Sequence, residues 1–333
     1  MRVLKIGIRQ QLIFLVLMVA LLSLMVLAII TGVYFSANYK NIRADKLQVI
    51  AQLKASQVEQ NLNYLYYQVY WLSGRDTIES SLVSYRAGNT TTNNFYNAAD
   101  TVQQFLSSSN TFSYVRLYDS RFELVLNSSD YTTHGKHLPE DVLEELFPLD
   151  MENENSTLPA NFDQDGLLTG PVANDTSFIM SMTLPIYASA SILYDTTDLV
   201  GYLTTVMSAD SLTYITNDST AITNGAVEII ATNNTSKEIS YNSTFYYALP
   251  SPNLPDWLID TELPIKKSYI ANQALRLNKT GSTSKTKLVS GNVVAAGYCP
   301  INFKMTRWAA IIEQPRSKFL EPSNRLAKII VGV

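Results

Sequence analysis

Apolar residues fill Leu12 to Phe35 without a single charge, and a long, predominantly polar chain follows. At about 1.5 Å per residue this run predicts a helix of roughly 36 Å, enough to cross a hydrocarbon core of about 30 Å. The apolar core of a cleaved signal peptide is shorter, and it ends in small residues. Here Tyr34 and Phe35 sit among Thr31, Gly32 and Ser36, so an uncleaved span is expected. From Ser36 to Ser73 there is neither proline nor glycine. Apolar residues recur at Val58, Leu62, Leu65, Val69 and Leu72, close to a 3.5-residue repeat. This pattern predicts one rod leaving the bilayer and reaching about 55 Å beyond it. Its stripe can pair with a second copy of the helix or pack on its own domain. Tyr64, Tyr66, Tyr67, Tyr70 and Trp71 surround the helix, and packing where the rod meets the domain is the expected role.

Shorter helices are predicted at Asp76–Tyr85 and Asn94–Ser108. The period then changes to two. Phe112–Tyr118 and Phe122–Leu126 read as a hairpin around Asp119-Ser-Arg. A short acidic helix follows at Leu138–Phe147, then a polar loop from Met151 to Gly166. Strands are expected at Phe178–Thr183 and Leu199–Met207. The polar stretch Asp210–Asn224 is expected to divide two modules. Further strands are predicted at Ala226–Thr232, Ser240–Ala248, Lys287–Cys299 and Arg307–Glu313, a helix at Ser268–Leu277, and a basic loop at Asn278–Lys287. After Pro315 a helix runs from Ser317, and the apolar Leu326–Val333 reads as the start of a second span.

The expected class is α+β, with two antiparallel-sheet modules strung on a helix. Its parts are a cytoplasmic stretch 1–11, a span 12–35, a long helix 36–75, a membrane-distal module 76–215, a membrane-proximal module 216–316 and a helix 317–333 entering the second span.

Charge does not orient the first span. Arg2, Lys5 and Arg9 precede it, and Lys40, Arg43 and Lys46 follow it. Nine Asn-x-Ser/Thr sequons favour an extracellular body: Asn89, Asn127, Asn155, Asn174, Asn217, Asn233, Asn234, Asn242 and Asn278. The net charge of −4 disfavours nucleic acid, which demands phosphate neutralisation. Cys299 is the one cysteine, so the body relies on core size in place of disulfides. An apolar strand position is expected for it, with an intermolecular bridge as the alternative.

Leu117-Tyr-Asp119, Leu124-Val-Leu126, Thr169-Gly-Pro-Val172, Met182-Thr-Leu-Pro-Ile186 and Leu199-Val-Gly-Tyr202 follow one another in an order that resembles the first module of double-Cache extracellular sensors. Ala296-Gly-Tyr-Cys-Pro300 and Trp308–Pro315 look like the closing strands of the second. A closer resemblance is to the osmosensing hybrid histidine kinases of fungi. It rests on Thr31-Gly-Val-Tyr-Phe35, Asn38-Tyr-Lys-Asn41, Asn61–Tyr67, Gln104–Asn110, Pro139–Leu143, Leu146–Leu149 and Leu326–Ile330. The resemblance implies a sensor whose kinase lies beyond Val333, with its phospho-accepting histidine, receiver aspartate, ATP and magnesium. It also implies a phosphotransfer protein and response regulators as partners, and none of the catalytic parts lies in this stretch.

Other chemistry is sparse. Asn161-Phe-Asp-Gln-Asp-Gly166 begins like a calcium loop, but its twelfth position is Val172 where a bidentate glutamate belongs. His134 and His137 lack a third ligand nearby, so no metal site is expected. No Gly-rich phosphate loop or Gly-x-Ser-x-Gly is present, so neither catalysis nor a cofactor is expected in this fragment. Lys266, Lys267, Arg276, Lys279, Lys285 and Lys287 form a basic group, a candidate for contact with wall polysaccharide, anionic lipid or the acidic first module. For a small ligand in the first module the candidates are Tyr114, Arg116, Tyr118 and Asp119. The reading that follows is an osmotic sensor acting through two membrane helices, paired as a homodimer along the long helix and spans. A solute-binding chemoreceptor module and a passive wall-linked ectodomain are the alternatives.

Overall fold

A computed structural model of the chain describes residues 7–331, except 90–91, 129–139, 150–161, 163–164, 175–176, 189–197, 219, 223, 233–238, 250, 252–257, 259–260 and 289–290. The predicted span and rod are one helix, α1 (Ile8–Ser73), of 66 residues and roughly 100 Å. Its apolar residues between Leu12 and Phe35 are exposed along their whole length, as a lipid-facing helix requires. Among the described residues it is the one helix long and apolar enough to cross a membrane. It stops at Gly74, where the chain turns into α2 (Asp76–Arg86) and α3 (Thr92–Ser108).

The first sheet is antiparallel, in the order β2-β1-β5-β4-β3. Its strands are β1 (Phe112–Asp119), β2 (Leu124–Asn127), β3 (Leu167–Asn174), β4 (Ser177–Ala188) and β5 (Asp198–Ser208), with α4 (Glu140–Leu146) between β2 and β3. The second sheet is also antiparallel, in the order β8-β7-β6-β11-β10-β9. It comprises β6 (Ala226–Thr232), β7 (Thr244–Tyr247), β8 (Leu263–Pro264), β9 (Gly281–Lys287), β10 (Val293–Phe303) and β11 (Thr306–Pro315). A short helix α6 (Tyr269–Ala271), continued as a π turn Asn272–Arg276, covers one face of it. The helix α5 (Asp210–Asn217) links the sheets, and α7 (Arg316–Val331) leaves β11 without an intervening loop.

Several expectations need correction. Residues 281–287 form an edge strand, β9, within the stretch expected to be a basic loop. Its Ser, Thr and Lys side chains carry no apolar alternation because only β10 pairs with it and most of it meets solvent. The dividing stretch Asp210–Asn224 contains α5, anchored by buried Leu212 and Thr216. Strand β7 is confined to Thr244–Tyr247, and β10 begins at Val293, six residues later than the pattern suggests, after a turn through Gly291. Strand β3 escaped the pattern because Gly170-Pro171 interrupts it with an irregular register opposite β4.

The rod's stripe also finds its role. Val58, Leu62, Leu65, Val69 and Leu72 are fully buried against the chain's own sheets and helices. They are therefore unavailable for pairing with a second copy. Of the five aromatics around the rod only Tyr66 is buried. Tyr64, Tyr67, Tyr70 and Trp71 face outward, because the buried stripe already fills the side that meets the domain.

Candidate functional site

The helix that carries the apolar run, α1, and the last helix, α7, meet each other beside the second sheet. Ser36, the first residue after the apolar run, lies with its Oγ 2.8 Å from Ser323 Oγ of α7. Two turns further on, Arg43 reaches across. Its Nη2 donates to Gln314 Oε1 at 3.1 Å, and its Nη1 donates to the carbonyls of Phe319 and, at 3.4 Å, Lys318. Pro322 explains why one of these carbonyls, that of Lys318, is open to a side chain. Proline has no N–H, so the carbonyl of Lys318, four residues earlier, lacks its usual intrahelical donor. The guanidinium also lies 5.1 Å from the Phe319 ring, itself buried between the helices and the second sheet. Sequence reading counted Arg43 only as a positive flank. Its partners lie more than 270 positions away, and the Pro322 interruption is the one local signal that could have drawn attention to α7.

Above this clamp α1 lies directly on β10. An added Cβ at Gly297 would sit 2.2 Å from the Leu47 carbonyl oxygen, so only glycine lets the helix backbone come this close. Higher still, buried Lys54 donates to Asp218 Oδ2 at 2.7 Å and to the Ile215 carbonyl at 3.2 Å, tying α1 to the end of α5. The Lys54 bond first, and then the hydroxyl and backbone N–H of Thr220, hold the Asp218 carboxyl down at about 2. The modules then share one core. Phe303, Met305 and Trp308 of the second sheet pack in the same cluster as Leu62, Leu65 and Val69 of α1 and Leu184 of the first sheet. Lys304, in the β10–β11 turn, bridges to Asp165 at 3.1 Å and lies 3.8 Å from the Tyr66 ring.

The four ligand candidates of the first module sit on β1. Tyr114, Arg116 and Tyr118 share the face turned away from α1, opposite Val115 and Leu117. That face is filled by the chain itself. Leu146 and Phe147 pack on Tyr114, Leu149 packs on Tyr118 and Tyr202, and the Arg116 guanidinium lies 4.0 Å from the Phe147 ring. Burial pushes the Tyr118 hydroxyl upward. Asp119 is buried, and its Oδ1 accepts from the backbone N–H groups of Arg121 and Glu123, which closes the β1–β2 turn. An open groove of about 1220 Å³ lies elsewhere, at the end of α1 farthest from the span. Tyr67, Trp71, Arg75, Gln104 and Tyr187 line it, with the Arg75 guanidinium 3.3 Å from the Trp71 ring.

Of the sequons, Asn89, Asn217, Asn242 and Asn278 are exposed and Asn127 is half-buried. Asn155, Asn233, Asn234 and the side chain of Asn174 lie outside the described residues, as do His134, His137 and residues 161, 163 and 164 of the 161–166 loop. The members of the basic group differ in their surroundings. Lys266, Lys267, Lys279, Lys285 and Lys287 are exposed, whereas Arg276 is bonded to Asn272 and faces the Tyr241 ring. Cys299 is a half-buried thiol on β10 near Thr280, and burial raises its pKa, the opposite of an activated thiol.

No protein-family model matches the chain. Over 330 residues, 98% of its length, it is 44% identical to the osmosensing histidine protein kinase SLN1 of Saccharomyces cerevisiae, and it spans about a quarter (26%) of that protein. Among solved structures it resembles the periplasmic sensory domain of the Campylobacter jejuni chemoreceptor Tlp1. The TM-score is 0.55 at 14% identity, covering 84% of this chain and 97% of that one. It is also similar to the ligand-binding domain of the Pseudomonas aeruginosa amino-acid chemoreceptor PctB in complex with L-Arg, with a TM-score of 0.51 at 13% identity, covering 85% of this chain and 92% of that one. At these identities the likeness is one of fold, an α+β, Cache-like pair of sheets on a long helix. Nearly the whole chain is thus homologous to a quarter of an osmosensing histidine kinase, and it carries the fold of Cache-like extracellular sensor domains.

Proposed function

We propose that the chain is the extracellular sensing region of a plasma-membrane osmosensing histidine kinase, and that it signals by moving α7 relative to α1. The observation that carries this reading is the clamp of Ser36 and Arg43 on Ser323, Gln314 and Phe319. One helix of the clamp continues into the apolar span. The other continues from β11, whose neighbours reach the shared core of both modules. Turgor or wall load that changes the docking of the modules shifts the relative positions of the two helices, provided the two states differ in free energy under that load. In this reading α7 enters a second span, the N-terminus is cytoplasmic, and exposed Asn89, Asn217, Asn242 and Asn278 carry glycans. ATP, magnesium, the phosphotransfer protein and the response regulators belong to the cytoplasmic remainder.

The test uses the full-length kinase with Cys299 replaced by serine and the pair Ser36→Cys and Ser323→Cys introduced. Oxidation joins α1 to α7, and phosphorelay output becomes insensitive to osmolarity until the bridge is reduced. Output that still follows osmolarity while the bridge is intact sinks the reading.

A solute-driven version is favoured by one observation, the distal groove beside Trp71 and Tyr187. The PctB domain was solved with L-Arg bound. A melting-shift screen of amino acids and osmolytes supports it only if saturable binding disappears in Trp71→Ala.

A further inference from the structure

The second sheet hides two acids. Glu228 of β6 and Glu313 of β11 are 1% and 4% exposed. Their strands are adjacent, with Glu228 opposite Ile311 and Ala226 opposite Glu313. In an antiparallel pair this places both carboxyls on one face, as diagonal neighbours. That face is the apolar one packed by Phe245, Tyr247, Ile265, Ile270 and Ala296. One oxygen of each carboxyl, Oε2, is buried without a hydrogen-bond partner.

No cation offsets them among the described residues. β7 brings Tyr247, β10 brings Tyr298, and α6 brings Tyr269, which is bonded to Tyr298. Lys266, Lys267, Lys285 and Lys287 of the covering elements are exposed, and Arg276 is held by Asn272. At the root of α7, Arg316 is half-buried, and Lys318 is exposed and paired with Glu321. Glu228 is pushed well upward by burial and then by Glu313, and burial raises Glu313 to about 7. Tyr247 is raised by burial and by both acids.

Position turns this into a device. Glu313 precedes α7 by three residues, and its neighbour Gln314 receives Arg43. We propose that Glu228 and Glu313 form a proton-operated latch at the root of α7: protonated, they let β11 seat firmly against β6, and ionised, they loosen β11 and the Arg43 clamp beside it. The pair takes up and releases its protons as a unit.

Both acids are raised above the usual carboxylate value, so the folded chain keeps protons that the unfolded chain has released. The pair's contribution to stability is then greatest below about 4.5 and falls as pH rises toward neutrality, levelling off once the folded pair has ionised. The effect of the latch on output rests on the two-helix reading above, whereas its existence does not.

The test compares the full chain in lipid nanodiscs with E228Q/E313Q between pH 4.5 and 8. In the wild type the melting temperature falls by about 5 °C over this range. An infrared band of protonated carboxyl survives above pH 5, and amide exchange at Gln314–Phe319 speeds up with pH. In the double variant the melting slope flattens, that band is lost, and exchange is pH-independent. Equal melting slopes in the two proteins, or no protonated-carboxyl band above pH 5, overturn the latch. Should the double variant fail to fold, the infrared titration of the wild type decides alone. A proper carboxyl titration with unchanged exchange at Gln314–Phe319 overturns the link to α7, while the two-helix reading stands or falls separately on the Ser36–Ser323 bridge.

Discussion

Lys54 shows how one side chain fixes a lever. Its ammonium is buried with Asp218 as its partner and the Ile215 carbonyl as a second acceptor. A buried cation that loses its counter-charge costs more than the pair contributed, because its desolvation is then uncompensated. Asp218→Asn is therefore expected to destabilise the chain at neutral pH by about 1–2 kcal/mol, moderated by the partial exposure of Asp218. The pH signature has the opposite sign to that of the Glu228–Glu313 pair. The Asp218 carboxyl is depressed in the fold, so its contribution is present above about 4 and is lost as pH falls toward about 2. Thermal melts between pH 2 and 5 check this. The wild type loses stability down that limb, and Asp218→Asn runs flatter; parallel curves would remove Asp218 from the account. Little at this scale was legible beforehand. Lys54 and Asp218 are ordinary charges in the sequence, and their meeting depends on how α5 folds back on α1. Glu228 and Glu313 are different, since each is the one acid inside an apolar strand (Ala226–Thr232 and Trp308–Pro315), a pattern that flags a buried carboxyl from sequence alone.

At the scale of elements, legibility followed burial. The α1 stripe and strands β1, β5, β6 and β11 declare themselves because each buries a regular set of apolar side chains. The edge strand β9 does not, since backbone pairing to β10 makes it a strand whatever its side chains are. Glycine 297 is the counterpart for the rod: it lies in an apolar strand run, yet its role is set by the helix crossing above it. Gly297→Ala is expected to lift α1 from β10 and cost about 1–3 kcal/mol, with Gly297→Val worse, because the nearest obstacle is backbone and cannot rotate away. Denaturant unfolding of both variants measures this. A loss below ~0.5 kcal/mol for Gly297→Val would mean that α1 does not sit on β10 as closely as described.

For the whole molecule, the question is how one copy of this body meets another. The buried stripe of α1 is excluded, but the helix has a second stripe. At 100° per residue Ile42, Val49, Leu53, Tyr64, Tyr67 and Trp71 fall within one narrow arc, diametrically opposite Val58, Leu62, Leu65, Val69 and Leu72. All six are exposed, Tyr67 at 65% and Trp71 at 58%. No sequon lies between Ser36 and Ser73, so no glycan is attached to this face. The stripe stands on the same helix as the span, so two copies sharing a membrane can align it without reorienting their bodies. Ile42 and Val49, and Tyr64 and Trp71, are each seven apart, but the eleven-residue interval from Leu53 to Tyr64 holds only the polar Gln60 on this face, which suits a weak, adjustable contact better than a permanent coiled coil. Where two copies of the chain pair, this face is the expected seam. Leu53→Glu with Tyr67→Glu places like charges at the seam and leaves the buried side of α1 untouched, so the fold is expected to persist while dimer affinity drops at least tenfold. Single-molecule photobleaching in membranes, read beside the melting temperature, checks both halves. Dimers that survive the double substitution at unchanged density would move the contact off α1 and onto another surface.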